Sequence, residues 1–217
     1  MTMHVAALWR YPIKTLAGEP ISTTELTPSG IPGDRIVRVR GPEGVRTSRR
    51  YHRLLGLHGS LDPDGNPLVN GLAWELPEVL ALVRDAAGPD AWLEAHTGLD
   101  RFDILPLLVA TDGAVHSFGR DVRRLRPNIL ISGVEGLAET TWPGAELHIG
   151  EAIVALDSLR PRCPMTTIDP DTLERDPEVL RDIARRFRGR LALNAEVVRP
   201  GVISIGDEAR LVIATAT

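Results

Sequence analysis

The chain contains one cysteine, Cys163, inside "SLRPRCPMTTIDPDT" (residues 158–172), flanked by Arg160, Pro161, Arg162 and Pro164. Guanidinium groups beside a thiol favour its thiolate form, which ligates soft metals or attacks electrophiles. Two prolines restrict the backbone and suit a loop that must present one side chain in one geometry. A protease-type nucleophile would need a partner histidine, and none of the six histidines lies in a recognisable signature. An inert thiol in a core or loop is the plainer alternative.

Lys14 is the only lysine among 25 basic residues. In "YPIKTLAGE" (11–19), a proline-led turn brings Lys14 and Thr15 together, an ammonium and a hydroxyl that can meet an anion. "GIPGDR" (30–35) sets Arg35 just after a Gly33 turn, so Lys14 and Arg35 from two loops could clamp one phosphate, the arginine as a bidentate fork. The glycine spacing matches neither a Walker A loop nor a dinucleotide fingerprint. In "GRDVRRLRPNILISG", Arg126 and Asn128 are two apart and would share one face of a strand, a pair suited to a polar heterocycle. Strand-entry solvation and turn chemistry are the simpler roles for them, as surface solvation is for each loop cation alone. Arg49 and Arg50 in "RTSRRYH" are ambiguous.

Short strands between Gly/Pro turns must position these groups. Strands are expected at 4–10, 36–40, 105–110, 128–132, 146–149, 152–158, 191–198, 202–205 and 209–214, a pattern that suggests a closed or nearly closed β-barrel. Two helices stand out. One starts at Pro77, carries Val79, Leu80, Val83 and Ala87 on one face, and stops at Gly88. The other has Asp176 as N-cap, Pro177 as first residue, an apolar stripe of Val179, Leu180, Ile183 and Phe187, and Gly189 at its end. Arg185, Arg186 and Arg188 suit the negative end of that helix. A weaker third helix is expected after His116. The fold class is mainly β with a few helices (α+β), in two portions, 1–88 and 100–217, joined by the loop between them.

Composition narrows the function. Hydrophobic content of 43% and charged content of 25% are those of a soluble globular protein. A net charge of −4 argues against nucleic-acid binding by bulk electrostatics. No apolar run approaches the roughly 20 residues of a membrane span, and the N-terminus does not resemble a signal peptide, so a cytoplasmic location is expected. One cysteine rules out an internal disulfide and any all-cysteine zinc or iron–sulfur site.

In order along the chain, "YPIKTLAGE", "LTPSGIPGDR", "RTSRRYHRL", "RPNILISG", "AETTWPGAELHIGEA", "RCPMTTIDPDT" and a closing "RPGVISIGDEARL" resemble the MOSC-domain family (molybdenum cofactor sulfurase C-terminal domain). The branch is that of mitochondrial amidoxime reducing components and their bacterial relatives, and the resemblance spans nearly the whole chain. It implies a MOSC-type β-barrel with a compact MOSC N-terminal β-rich subdomain and a bound molybdenum cofactor, Mo-molybdopterin. Cys163 matches the metal ligand, with Lys14, Thr15 and Arg35 matching the phosphate anchors and Arg126, Asn128 and Arg162 the pterin-holding residues. The implied activity is reduction of N-hydroxylated or other N-oxygenated small molecules with electrons from separate partner proteins. Alternatives are a sulfur carrier or cofactor-handling protein with a persulfide on Cys163, or a barrel binding another anionic ligand. His116 and Ser117 are placed in a loop that could face the metal as proton donor. Pro161 and His52 differ from the family's usual small or polar residue and proline.

Overall fold

The structure is a computed structural model that describes residues 2–213. In the N-terminal half the strands are β1 (Met3–Arg10), β2 (Glu19–Ile21), β3 (Thr23–Leu26), β4 (Val37–Gly41), β5 (Gly44–Val45), β6 (Gly59–Leu61), β7 (Pro67–Val69), β8 (Leu72–Ala73) and β9 (Trp92–Ala95). After them come β10 (Leu107–Thr111), β11 (Ile129–Ser132), β12 (Ala145–Ile149), β13 (Ala152–Pro161), β14 (Arg190–Arg199), β15 (Gly201–Ser204) and β16 (Glu208–Ile213). Three α-helices, α1 (Pro77–Ala87), α2 (Asp112–Phe118) and α3 (Pro177–Phe187), and five short 3-10 turns complete the described elements.

Seven strands in the order β11-β10-β14-β13-β12-β16-β1 close into a barrel through pairing of β1 with β11, and β2 adds to β1 outside the ring. Alternating residues of these strands, among them Val5, Leu8, Val109, Ile129, Ile131, Leu147, Val154 and Leu193, fill the interior. Closure removes free sheet edges, which would otherwise offer unpaired backbone groups. A second core joins β4 and β7 to α1 through Ile13, Val37, Val39, Val69, Val79 and Val83. The expected strand at 4–10 is therefore a barrel stave. The stretch 88–100 carries β9, which pairs antiparallel with β4.

Strand ends place the functional loops. β1 runs antiparallel to β11, with Leu8 opposite Ile129, so the chain after Arg10 meets the chain before Ile129 at one end of the barrel. β13 ends at the same place, where Pro161 pairs with Arg190. A proline suits that last position because it lacks an N–H for the ladder. Cys163 then opens a 3-10 turn, Pro164–Thr167. The first residue before α3 secures this turn, since the Asp176 N–H donates to the Thr167 carbonyl at 2.8 Å.

Both long helices match their expected starts and faces, although α3 ends with Arg188 in the left-handed region before Gly189. The third helix differs. It precedes and includes His116 and stops at Phe118, because Gly119 takes the left-handed conformation, and only a 3-10 turn (Val122–Arg124) follows. The barrel strands lie within about three residues of their expected bounds. Ala214, the last residue of the strand expected at 209–214, lies outside the described residues.

The Asp176 carboxylate accepts the Glu178 N–H at 2.9 Å, capping α3. Asp176→Ala is expected to cost about 1 kcal/mol, lowering Tm by roughly 2–4 °C in a thermal melt. An unchanged Tm would show that α3 is held without its cap.

Candidate functional site

A cleft of about 280 Å³ lies at this end of the barrel, and all seven sequence-derived candidates line it: Lys14, Thr15, Arg35, Arg126, Asn128, Arg162 and Cys163. The loops after β1 and β13 and those before β4 and β11 supply them. Six cations, Lys14, Arg35, Arg49, Arg126, Arg160 and Arg162, surround it in a chain whose net charge is −4.

Beneath the cleft lies Asp34, fully buried. Its carboxylate accepts the Tyr11 N–H at 2.6 Å and the Asn128 side-chain amide at 3.2 Å, and forms an ion pair with Arg35. Asn128, also fully buried, accepts the Leu108 N–H through its own oxygen at 3.1 Å. Its carboxamide therefore ties β10 to Asp34 rather than presenting free polar groups. The Tyr11 hydroxyl donates to the Pro127 carbonyl, and burial pushes its pKa up to about 12.

Arg126 is 9% exposed, forms no salt bridge among the described residues, and lies over the Tyr11 ring at 4.2 Å. Arg162 donates to the Leu125 carbonyl at 2.8 Å, while its buried Nε has no partner. Burial pulls both guanidiniums down to about 10, so they keep their charge at neutral pH. Buried cations without carboxylates are costly unless an anion meets them.

Thr15, Arg35 and Arg126 all have positive φ, at 89°, 57° and 57°. Such backbone costs about 1–3 kcal/mol per residue and persists where surrounding contacts over-determine it, a pattern that concentrates at functional sites. Each is held. Thr15 Oγ1 accepts the Ser48 N–H, the Arg35 N–H donates to the Tyr11 carbonyl, and the Arg126 N–H donates to the Arg123 carbonyl.

Asp103, which no motif singled out, faces three of the cations. Its carboxylate lies 2.9 Å from Lys14 Nζ, 3.0 Å from Arg49 and 3.3 Å from Arg160. Burial would raise its pKa, but the Lys14 hydrogen bond and the three positive charges outweigh this and hold it below the ordinary carboxylate value.

The sequence pattern of the MOSC N-terminal beta barrel domain matches residues 2–71, and that of the MOSC domain matches residues 113–210. The chain belongs to the MOSC family. It is 26% identical to the human "Mitochondrial amidoxime-reducing component 1" over 94% of this chain and 81% of that protein. Identity to the Macaca fascicularis "Mitochondrial amidoxime reducing component 2" is also 26%, over 85% of this chain and 72% of that one. The "Molybdenum cofactor sulfurase" of Anopheles gambiae is 30% identical over 75% of this chain, which spans 17% of that larger protein. The crystal structure of the Bacillus subtilis YUAD protein superposes with a TM-score of 0.56 over 99% of this chain and 98% of that one, at 14% identity, a likeness of fold alone.

In this MOSC chain, two expectations change. Arg126 and Asn128 are not neighbours on a strand face, because β11 begins only at Ile129 and Arg126 sits in a left-handed turn. His116 and Ser117 belong to α2 and do not line the cleft; the Ser117 carbonyl accepts from Arg186. Tyr11 and Asp34 lie inside "YPIKTLAGE" and "GIPGDR", whereas nothing local marks Asp103.

Asp103→Asn is expected to tighten binding of inorganic phosphate about fivefold, or ~1 kcal/mol, by freeing Lys14, Arg49 and Arg160. At matched pH the difference between wild type and Asp103→Asn should disappear as pH falls through the depressed Asp103 pKa, where the contact is lost. Isothermal titration calorimetry checks both, and equal affinities would mean these cations do not face the ligand.

Proposed function

We propose that the cleft holds a molybdenum cofactor with Cys163 as its protein ligand, and that the protein reduces N-oxygenated small molecules. The observation that carries this is the meeting of the chain's sole thiol with six cations in one cleft of a net-negative protein. The donor set fits such a group. Among the described residues no three His, Cys, Asp or Glu side chains cluster to hold a metal, so further ligands at Cys163 would have to come from a non-protein group. A thiolate suits a soft metal centre, and the unpartnered Arg162 Nε and unpaired Arg126 suit an anionic pterin.

Lys14, Thr15 and Arg35 would hold its phosphate, and Arg126 and Arg162 its pterin portion. Asn128 contributes by fixing Asp34 and, through it, Arg35. The Cys163 carbonyl accepts both the N–H and the hydroxyl of Thr166, which locks the turn and limits the thiol's freedom. Bound there, the cofactor would supply two-electron redox chemistry, while the protein orients it and sets its electrostatics. Cleaving one N–O bond to amine and water consumes two electrons and two protons, so separate electron-transfer proteins must restore the electrons. The names of the amidoxime reducing components support this substrate class.

Similarity to a molybdenum cofactor sulfurase favours a second function, sulfur handling through a persulfide on Cys163. Metal and pterin content of protein from a cofactor-competent host separates the two. Near-stoichiometric molybdenum, lost in Cys163→Ala, with pterin retention weakened in Lys14→Ala, is expected. Protein free of both from that host, with Cys163 heavier by one sulfur atom in intact mass, would overturn the enzyme in favour of the carrier.

A further inference from the structure

A second cavity of about 270 Å³ lies beside the cleft, sharing Arg126 and Met165 as a common wall. Its character is different. Trp9, Tyr11, Pro20, Leu55, Ile168 and Pro170 give its lining an apolar and partly aromatic surface. Gly18 makes room for it. A Cβ at that position would stand 2.4 Å from Tyr11 Cδ1 and 2.4 Å from the Arg10 carbonyl oxygen, so a larger residue would displace the ring.

The charges facing this cavity come from three arginines, with the exposed His58 also on its lining. Arg123 is paired with Asp121 and Asp171, and Arg124 with Asp169. Arg126 alone of the three has no carboxylate, and it is 9% exposed. An apolar pocket with one uncompensated guanidinium selects for an apolar body bearing one negative charge, since a second charge would find no unpaired cation there. The cleft, with its six cations, selects the opposite: a polyanion. Met165, flexible and polarizable, separates the two and packs well against an aromatic ring.

We propose that this second cavity is a binding site for a flat aromatic small molecule carrying one anionic group, its ring against Trp9 and its charge on Arg126. The two sites share Arg126, so the test uses full-length protein from a host that makes no pterin cofactor and reads binding alone. Its failure is thereby separate from any failure of the reductase function.

The probe is 2-naphthoate, followed by calorimetry and by the NMR resonances of the Trp9 indole N–H and Met165 methyl. One-to-one binding that shifts both resonances is expected. Arg126→Met should weaken it about tenfold by removing the charge-assisted contact. Ala17→Leu, which fills the cavity from a wall outside the cleft, should abolish it while far-UV circular dichroism stays native. Uncharged 2-naphthamide should bind more weakly than the carboxylate. The wild-type resonance map is informative even if either variant folds poorly. Shifts confined to residues around Lys14 and Asp103, or equal affinity for acid and amide, would overturn the proposal.

Discussion

The buried Asp34 carboxylate is the constraint around which the site is arranged. A carboxylate removed from water must be met by donors, and here they come from three separate segments: the Tyr11 N–H after β1, the Asn128 amide before β11, and its neighbour Arg35. The Asp34 carbonyl also accepts from Arg101, just ahead of Phe102 and Asp103. Removing any one donor would leave charge under-satisfied in a low-dielectric setting, so the loops are locked relative to one another. Barrel closure through β1 and β11 brings these segments close enough for that carboxylate to bridge them.

The same arrangement explains how a cluster of six cations survives with only two acids, Asp34 and Asp103, set against it. Like charges repel, and the fold answers with neutral acceptors and ring faces. Lys14 donates to the Arg101 carbonyl, Arg162 to the Leu125 carbonyl, and Arg126 stacks on Tyr11. Two carboxylates are the exceptions: Asp34 pairs with Arg35, and Asp103 lies between Lys14, Arg49 and Arg160. Guanidiniums held in place before a ligand arrives lose little freedom when it binds, which is the physical sense of preorganisation. Left-handed backbone at Thr15, Arg35 and Arg126 belongs to this same design, since all three residues line the cleft.

Much of the fold was legible in the sequence because its signals are local. Alternating apolar residues between Gly/Pro turns marked the barrel staves, and Pro77 and the Asp176–Pro177 pair marked two helix starts. Short strands such as β5 and β8, two residues each, escaped because a pair of residues carries no periodicity. The misplaced third helix shows the limit in another way. Arginine-rich "RDVRRLR" has helical propensity, but Gly119 in the left-handed region ends α2 before it.

By itself the sequence determined the residue types at the site: one thiol between prolines and arginines, one lysine after a proline turn, and glycine turns that free Arg35. Order and spacing along the chain were enough to indicate the family. Only the tertiary structure decided that these groups share one cleft, since Lys14 and Cys163 lie far apart in the chain and meet solely because β1 and β13 end at the same rim. It also made Asn128 a support for Asp34, and gave Asp103 a role no motif announced. The reason is physical: the environment of a carboxylate or amide depends on which partners folding delivers to it, and those partners are distant in sequence.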